Sequence, residues 1–291
     1  MTLKPLLINL GKLLLCALAY EAGMVIGRMI ATFLKLTIPT PPAGANMNLI
    51  AVYMVLVTPL FALALAVIGR GLKGNFITRT LVLSFFMWIS YTVNTQLEAS
   101  IVSSYATGVA FAVISGVVPA LFCSAAVAFL FSEEKKGEGL IVACKEFFAR
   151  RSLVDWIWRL PVAAVAFMPI YFVFGLMVLP FTGKYYQQNM FGLAAPTIGQ
   201  LLPTLFIRSL LFMLVCLPIL ILWKNSKRSL FWRLGLSLFM LVGFNIMLIA
   251  TWLPIYVRFP HTLEILADEF VYAGVLVLLG FPRQTRNEFQ I

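Results

Sequence analysis

Long apolar stretches, separated by short polar connections, follow one another along the whole chain. Eight of them are close to the length of about 20 helical residues that crosses the roughly 30 Å hydrocarbon core of a bilayer. They cover residues 6–36, 46–69, 80–96, 101–132, 160–181, 197–223, 230–253 and 261–281. The pattern predicts an all-α fold, a polytopic transmembrane helix bundle of about eight spans.

The composition agrees with this pattern. Hydrophobic residues make up 62% of the chain and charged residues 11%, whereas about 25% of the residues of a soluble domain are charged. The mean hydropathy is +0.97. We therefore expect an integral membrane protein whose main partner is the lipid bilayer.

The basic residues predict an orientation. Of the 22 Lys and Arg residues, 17 fall in alternate connections and terminal segments on one side, and only Lys35, Lys184 and Arg258 fall on the other. Because basic residues favour the cytoplasmic side, both termini are predicted to be cytoplasmic, in a plasma or inner membrane. The net charge of +11 then reflects topology and attraction to anionic lipid, and nucleic acid is not expected as a partner.

The four cysteines form no CxxC pair and none lies in a predicted outer connection. Cys16, Cys123 and Cys216 lie in spans and Cys144 in a predicted cytoplasmic connection. Neither a disulfide framework nor a metal site is indicated, and no cofactor is predicted.

The first apolar stretch has some features of a secretory signal. Lys4 precedes it, and Ala17, Leu18 and Ala19 resemble a small-residue cleavage site. The apolar run nevertheless continues to Leu36, and cleavage would leave that remainder outside the membrane. An uncleaved first helix is therefore favoured over a signal peptide.

The longest connection divides the chain into a first membrane half (1–132), a cytoplasmic connection (133–159) and a second membrane half (160–291). Its opening, 133–139, is charged and predicted to be solvated. Residues 140–158 carry apolar side chains at helical spacing with basic residues between them. This predicts one amphipathic helix in the headgroup region, with Trp156 and Trp158 in the aromatic belt.

The two halves resemble each other weakly. Residues 83–87 (LSFFM) match 236–240 (LSLFM) at four of five positions, similar residues surround Glu98 and Glu264, and Pro59 and Pro218 lie at comparable places. Because four spans return the chain to its starting side, a duplication would be parallel, with its axis along the membrane normal. The alternative is coincidence between apolar segments of simple composition.

The last apolar stretch, 261–281, carries three carboxylates in its first half: Glu264, Asp268 and Glu269. A charged side chain at mid-bilayer depth costs about 2.5–3.5 kcal/mol on insertion scales, so such residues mark function or a specific partner. Glu264, Asp268 and Tyr272 share one helix face, and Glu269 points about 100° away from Asp268. If the helix begins at His261, these carboxylates lie about 5 to 12 Å below it, in the outer half.

Depth along the spans predicts the partners of these carboxylates. Arg208 lies about 16 Å into the sixth span and Arg28 about 12 Å from the outer end of the first, so both are expected to reach the level of Asp268 and Glu269. Other polar residues show the same outward bias and predict a polar pocket that is open outside and sealed inside. The ligand, ion or charge-network candidates are Glu264, Asp268, Glu269, Arg208, Arg28, Glu21, Glu98, Asn245, His261 and Tyr272.

Three functions remain open. The first is a transporter or permease-type component that binds a small cation, proton or cationic solute. The second is a non-catalytic scaffold or subunit, whose charges pair internally or with other membrane subunits. The third, a membrane-embedded enzyme acting on a lipid-linked substrate, is the least favoured: His261 is the only histidine, no HExxH is present, and Ser115 is not in a GxSxG elbow.

Overall fold

The computed structural model describes residues 3–42, 44–104, 106–132 and 137–281. Apart from two isolated β-bridges, the regular structure in these ranges is helical. Seven helical stretches are long and apolar enough to cross a membrane: Lys4–Phe33, Met47–Gly69, Phe76–Val102, Val109–Leu130, Leu153–Gln187, Ile198–Leu222 and Lys227–Ile249. The protein is thus an all-helical, multi-pass membrane protein.

The α-helices are α1 (Leu3–Phe33), α2 (Met47–Gly69), α3 (Phe76–Met87), α4 (Asn94–Val102), α5 (Val109–Ser115), α6 (Val117–Leu130), α7 (Leu140–Ala149), α8 (Leu153–Val165), α9 (Phe167–Gln187), α10 (Ile198–Leu222), α11 (Lys227–Leu238), α12 (Asn245–Ile249) and α13 (Ile255–Gly280). A short 3-10 helix covers Met190–Gly192. Two π-helical segments, Trp88–Val93 and Phe239–Phe244, join α3 to α4 and α11 to α12. Helix α13 has 26 residues, but its acidic residues keep it outside the seven apolar stretches.

Local sequence explains where several helices start and break. Asn75 and Ser226 cap α3 and α11 by accepting from a backbone amide three residues later. The break between α5 and α6 falls at Gly116, and the break between α8 and α9 at Ala166. Each lies three residues before a proline, Pro119 or Pro169, whose missing N–H removes the bond to the carbonyl four residues back.

Two backbone connections tie the halves of the bundle together. At one end, here called the basic end, α2 and α10 finish side by side, and the amide of Lys73 donates to Leu222 O (2.9 Å) while that of Lys224 donates to Gly71 O (3.1 Å). At the opposite end, Ser104 N donates to Gly192 O (2.9 Å) and Ala194 N to Val102 O (2.8 Å). Main-chain hydrogen bonds therefore join the two halves at both ends of the contact between them, which we call the seam.

Four pairs of elements, one member from each membrane half, start at a constant spacing. The first residues of α2 and α10, of α3 and α11, of the two π-helical segments, and of α4 and α12 are each 151 positions apart. In this register Leu83 corresponds to Leu234, so the match between 83–87 and 236–240 is displaced by two residues from the helices. Pro59 likewise corresponds to Leu210 rather than to Pro218.

The connection between the halves differs from the single amphipathic helix that was predicted. It contains α7, a break at residues 150–152, and α8, which Ser152 caps through the amide of Asp155. Trp156 is buried and donates from Nε1 to Phe148 O (3.0 Å), so it is not in an aromatic belt as predicted, whereas Trp158 is exposed. Four residues of the predicted solvated opening, 133–136, lie outside the described residues.

Residues Arg151 and Arg159 fasten the start of α8 to the end of α13. Arg151 Nη2 donates to Phe281 O, and Arg159 Nη1 donates to Leu279 O at 3.4 Å. Burial, and then the positive charge of Arg159, lower the pKa of Arg151 below its ordinary value. These contacts place the connection against the basic end of the bundle.

Candidate functional site

The acidic helix α13 begins at Ile255, six residues before the predicted start at His261. Pro254 does not prevent this, because it is the N-cap residue and precedes the helix. Pro260 is the sixth residue of the helix and removes the hydrogen bond to the carbonyl of Tyr256, but the helix continues through it. Asp268 and Glu269 consequently lie near the middle of the helix, about 20 Å from its first residue, and not in its first half as a start at His261 predicted. The helix packs against α8, α9, α10, α11 and the segment Phe239–Phe244.

A first group of polar side chains centres on Glu98. Its Oε2 lies 2.9 Å from Arg208 Nη2, and its Oε1 accepts from the hydroxyl of Tyr171 at 3.1 Å. The Arg208 guanidinium lies over the rings of Phe167 and Tyr171, 5.6 Å from each centroid. Arg208 therefore pairs with Glu98 of α4, and not directly with Asp268 or Glu269 as depth alone predicted.

A second group centres on His261. Its Nδ1 lies 2.6 Å from Glu264 Oε2, and its Nε2 lies 3.1 Å from the hydroxyl of Tyr186. In a neutral ring the proton on Nδ1 is donated to the carboxylate, and Nε2 then accepts from Tyr186. A Cβ at Gly175 would lie 3.3 Å from Glu264 Oε1, so α9 approaches this carboxylate closely because glycine leaves room for it.

Asp268 and Glu269 are more deeply buried than Glu98 and His261. Oδ1 of Asp268 and both carboxylate oxygens of Glu269 are buried without a hydrogen-bond partner. Asp268 is within electrostatic range of Glu264, Glu269, Glu98 and Arg208, and Glu269 is within range of Arg208 and Glu98. Four carboxylates thus share one arginine and one histidine, and we call these six residues with Tyr171 and Tyr186 the acidic cluster.

Exposure decreases from the rim of the acidic cluster to its base. The side chains of Glu98 and His261 are 29% and 18% exposed, and that of Glu264 is 7% exposed. Asp268 and Glu269 are 2% and 0% exposed. Burial therefore increases from Glu98 and His261 to Asp268 and Glu269, which carry the unpartnered carboxylate oxygens.

Two predicted candidates lie in the first half of the chain, away from the acidic cluster. Glu21 accepts from Thr58 Oγ1 at 2.6 Å. Arg28 is exposed on α1, a helix that packs mainly on α2, α5 and α6, and its electrostatic neighbours are Tyr20 and Tyr91. The expected pairing of Arg28 with the acidic residues of α13 is therefore not present, because its helix lies on another side of the bundle.

Tyr272 shares the face of α13 with Asp268 but has a different environment. Its hydroxyl donates to Ala163 O at 3.3 Å, and its ring packs against Phe167 and Phe212 at centroid distances of 5.5 and 6.0 Å. It closes the base of the acidic cluster with aromatic side chains and contacts none of its carboxylates through a hydrogen bond in the described structure.

Sequence reasoning identified Glu264, Asp268, Glu269, His261, Arg208 and Glu98 but missed Tyr171 and Tyr186. A tyrosine in an apolar span carries no signal that distinguishes a hydrogen-bonding role from packing. Asn245 was also a candidate; it and Asn94 are fully buried, each directly after a π-helical segment. Ser115 and His261 do not form the nucleophile and base of a serine hydrolase. Ser115 Oγ donates to Ala112 O at 3.3 Å, while His261 contacts Glu264 and Tyr186.

Comparisons with protein-family models, curated proteins and solved structures gave no match. Within the described part of the chain, no three His, Cys, Asp or Glu side chains converge as the ligands of a metal ion do.

Proposed function

We propose that this protein is a transporter or permease-type membrane component that binds a proton, a small cation or a cationic solute at the acidic cluster. The observation that carries the proposal is the excess of buried carboxylates over cations, with three oxygens of Asp268 and Glu269 lacking any hydrogen-bond partner. Uncompensated buried carboxylates are costly, so they either hold protons or bind a positive ligand. A cation-coupled carrier requires both the protonated state and the state with a bound positive ligand, because it must bind and release its ion.

The same proposal extends to topology. Helix α13 is the eighth span, the basic end faces the cytoplasm with both termini, and the membrane is a plasma or inner membrane. The constant spacing of 151 positions between equivalent elements supports two halves related by an axis along the membrane normal. The acidic cluster then opens towards the outside through Glu98 and His261.

Carboxyl labelling tests the ligand-binding part of this function. Dicyclohexylcarbodiimide modifies protonated carboxyl groups in apolar surroundings, and mass spectrometry of peptides from α13 locates the product. We expect modification of Asp268 or Glu269 that is reduced by LiCl, NaCl, KCl or methylammonium chloride when compared with choline chloride of equal ionic strength. Labelling that is equal in every salt at constant pH would contradict a cation or cationic-solute site and leave protons as the ligand. Labelling that is absent even in choline chloride would contradict a protonated carboxyl group at this site.

Transport itself needs a second assay. Proteoliposomes that contain a pH-sensitive dye report proton movement when a gradient of the competing cation, or of protons alone, is imposed. We expect flux with the wild-type chain and none with Glu269→Gln, while Glu146→Gln, a change in an exposed ion pair with Lys73, keeps it. Equal dye signals for wild-type and Glu269→Gln vesicles would favour the scaffold over the transporter.

One observation favours the scaffold as a second candidate function. The ion pair between Arg208 and Glu98 is largely buried and joins helices of the two halves, as a device that fixes helix register would do. In that function the four carboxylates serve folding alone. Neutral variants of Asp268 and Glu269 would then change stability and leave no cation-dependent property to lose.

A further inference from the structure

Asn94 and Asn245 are both fully buried, and neither the amide oxygen nor the amide nitrogen of either has a hydrogen-bond partner in the protein. An unpaired buried polar atom costs about 1–3 kcal/mol. Four such atoms at corresponding positions of the two halves would be a large and systematic cost. Something other than protein groups must therefore satisfy them.

The two amides lie along the seam between the halves. Each begins a helix directly after a π-helical segment, and these segments, Trp88–Val93 and Phe239–Phe244, pack against each other. Helix α4, which starts with Asn94, packs on α10, while α12, which starts with Asn245, packs on α2. Each asparagine is thus placed where one half contacts the other.

Further unpartnered oxygens lie on the same elements. The hydroxyl of Ser90, in the first π-helical segment, and that of Ser209, on α10, are buried without a hydrogen-bond partner. Amide and hydroxyl oxygens are neutral, hard ligands of the kind that bind hard cations. Interrupted helices recur at such sites because their backbone departs from the regular hydrogen-bond ladder.

The surrounding charge favours a cation over an anion. Gly243, two residues before Asn245, contacts α13 so closely that a Cβ would lie 2.7 Å from Ile265 Cγ2. Ile265 is one helical turn from Glu269 on the same face of α13. The excess negative charge of the acidic cluster therefore lies on the next helix, and Glu98 follows Asn94 by one turn on α4. The side chains of the two asparagines and two serines are themselves uncharged.

We propose that Asn94 and Asn245 form a second site, on the seam, that binds a partly hydrated alkali metal cation, with Ser90 and Ser209 beside it. The amide oxygens coordinate the ion, and its water molecules accept hydrogen bonds from the amide nitrogens. A monovalent ion fits this uncharged set better than a divalent ion, which takes carboxylates from its protein. This site uses none of the residues of the acidic cluster, although Asn94 is one turn from Glu98 and Ser209 follows Arg208 directly. It does not depend on what that cluster transports.

Thermal unfolding of the purified, full-length protein tests the seam site. The midpoint Tm is measured in LiCl, NaCl and KCl, each mixed with choline chloride to constant ionic strength. We expect one alkali cation to raise Tm saturably, and Asn94→Leu and Asn245→Leu each to raise the half-saturating concentration by at least about tenfold. Asn48→Leu, at an exposed position of α2, should keep the wild-type response.

The result that overturns the proposal is a Tm that responds equally to choline and to all three alkali cations, or a response that both leucine variants retain. Leucine matches asparagine in size, so if the amides are simply unpaired, both leucine variants will raise Tm in every salt, which also contradicts a bound ion. If a leucine variant does not fold, Asn94→Ser and Asn245→Ser carry the same comparison. Carboxyl labelling of Asp268 and Glu269 measures cation binding at the acidic cluster independently. Failure of the seam site and failure of the acidic cluster can therefore be distinguished.

Discussion

Arg208 on α10 and Glu98 on α4 form an ion pair, with 2.9 Å between Nη2 and Oε2. The arginine side chain is 3% exposed and the glutamate side chain is 29% exposed. The pair therefore joins a buried cation of the second membrane half to a carboxylate of the first half, at the rim of the acidic cluster. Among the described residues, Arg208 is also the only arginine within electrostatic range of Asp268 and Glu269. Several testable consequences depend on this arrangement.

Removing one member of this pair should be far worse than removing both. Arg208→Gln leaves four carboxylates without their arginine, and loss of one partner of a buried pair costs about 3–5 kcal/mol. The double variant with Glu98→Gln should recover a large part of that loss, measured as Tm by fluorescence-detected size exclusion. The exposed pair of Lys73 and Glu146, at 3.9 Å, provides the control, because its removal should cost less than about 1 kcal/mol. Additive effects of the two single changes would contradict a coupled pair.

Neutralising the base of the acidic cluster should stabilise the fold and abolish function. Asp268→Asn and Glu269→Gln keep the side-chain shapes and remove buried like charges, so we expect Tm to rise in each. Sites that are built for ligands often sacrifice stability in this way. The cation-dependent labelling of the remaining carboxylate should disappear at the same time. A fall in Tm without loss of cation dependence would point to a structural role for that carboxylate.

Gly175 should control access to Glu264. A Cβ at this position would lie 3.3 Å from Glu264 Oε1, and the larger side chain of valine would occupy the space beside the carboxylate. Gly175→Val should therefore weaken cation protection of the acidic cluster more than Gly175→Ala does. Gly11→Val, where a Cβ has no neighbour within 4 Å, controls for a β-branched residue in a helix. If both valine variants behave like the wild type in the labelling assay, solute does not pass Gly175.

Gly71 should be intolerant of any side chain. A Cβ there would lie 2.0 Å from the Trp223 ring, so Gly71→Ala displaces the tryptophan and with it the backbone bonds between α2 and α10. Overpacking of this kind costs about 1–3 kcal/mol. Gly139→Ala, with no atom within 4 Å of its Cβ, should leave Tm nearly unchanged. Equal Tm values for the two variants would show that this contact adapts freely.

The features that could be predicted from the sequence are those that hydrophobicity controls directly. Apolar length predicts the spans, and charged residues within α13 stand out because their burial is costly. Position around the bundle was not predictable: Arg28 and Arg208 have similar depths, yet only Arg208 faces the acidic cluster, since depth along a helix says nothing about which helix lies beside it. The π-helical segments were also missed, because one extra residue in a turn changes the apolar pattern very little.

The start of α13 shows why local signals can mislead. Arg258 and Pro260 resemble a connection between spans, and sequence reasoning began the helix after them at His261. In the structure the helix continues through Pro260, its sixth residue, although one intrahelical hydrogen bond is lost there. Arg258 Nη1 donates to Met247 O at 3.3 Å. Tertiary contacts supplied what the linear pattern could not, and they moved the acidic residues to the centre of the helix.

The paired main-chain bonds of Lys73 and Lys224 at the basic end have a mechanical consequence. Two short, symmetric hydrogen bonds resist separation of the strands that they join but offer little resistance to twisting about the line between them. The opposite end of the seam carries its own pair of bonds, Ser104 to Gly192 and Ala194 to Val102. One half can therefore swing away from the other at either end only if the pair of bonds at that end breaks.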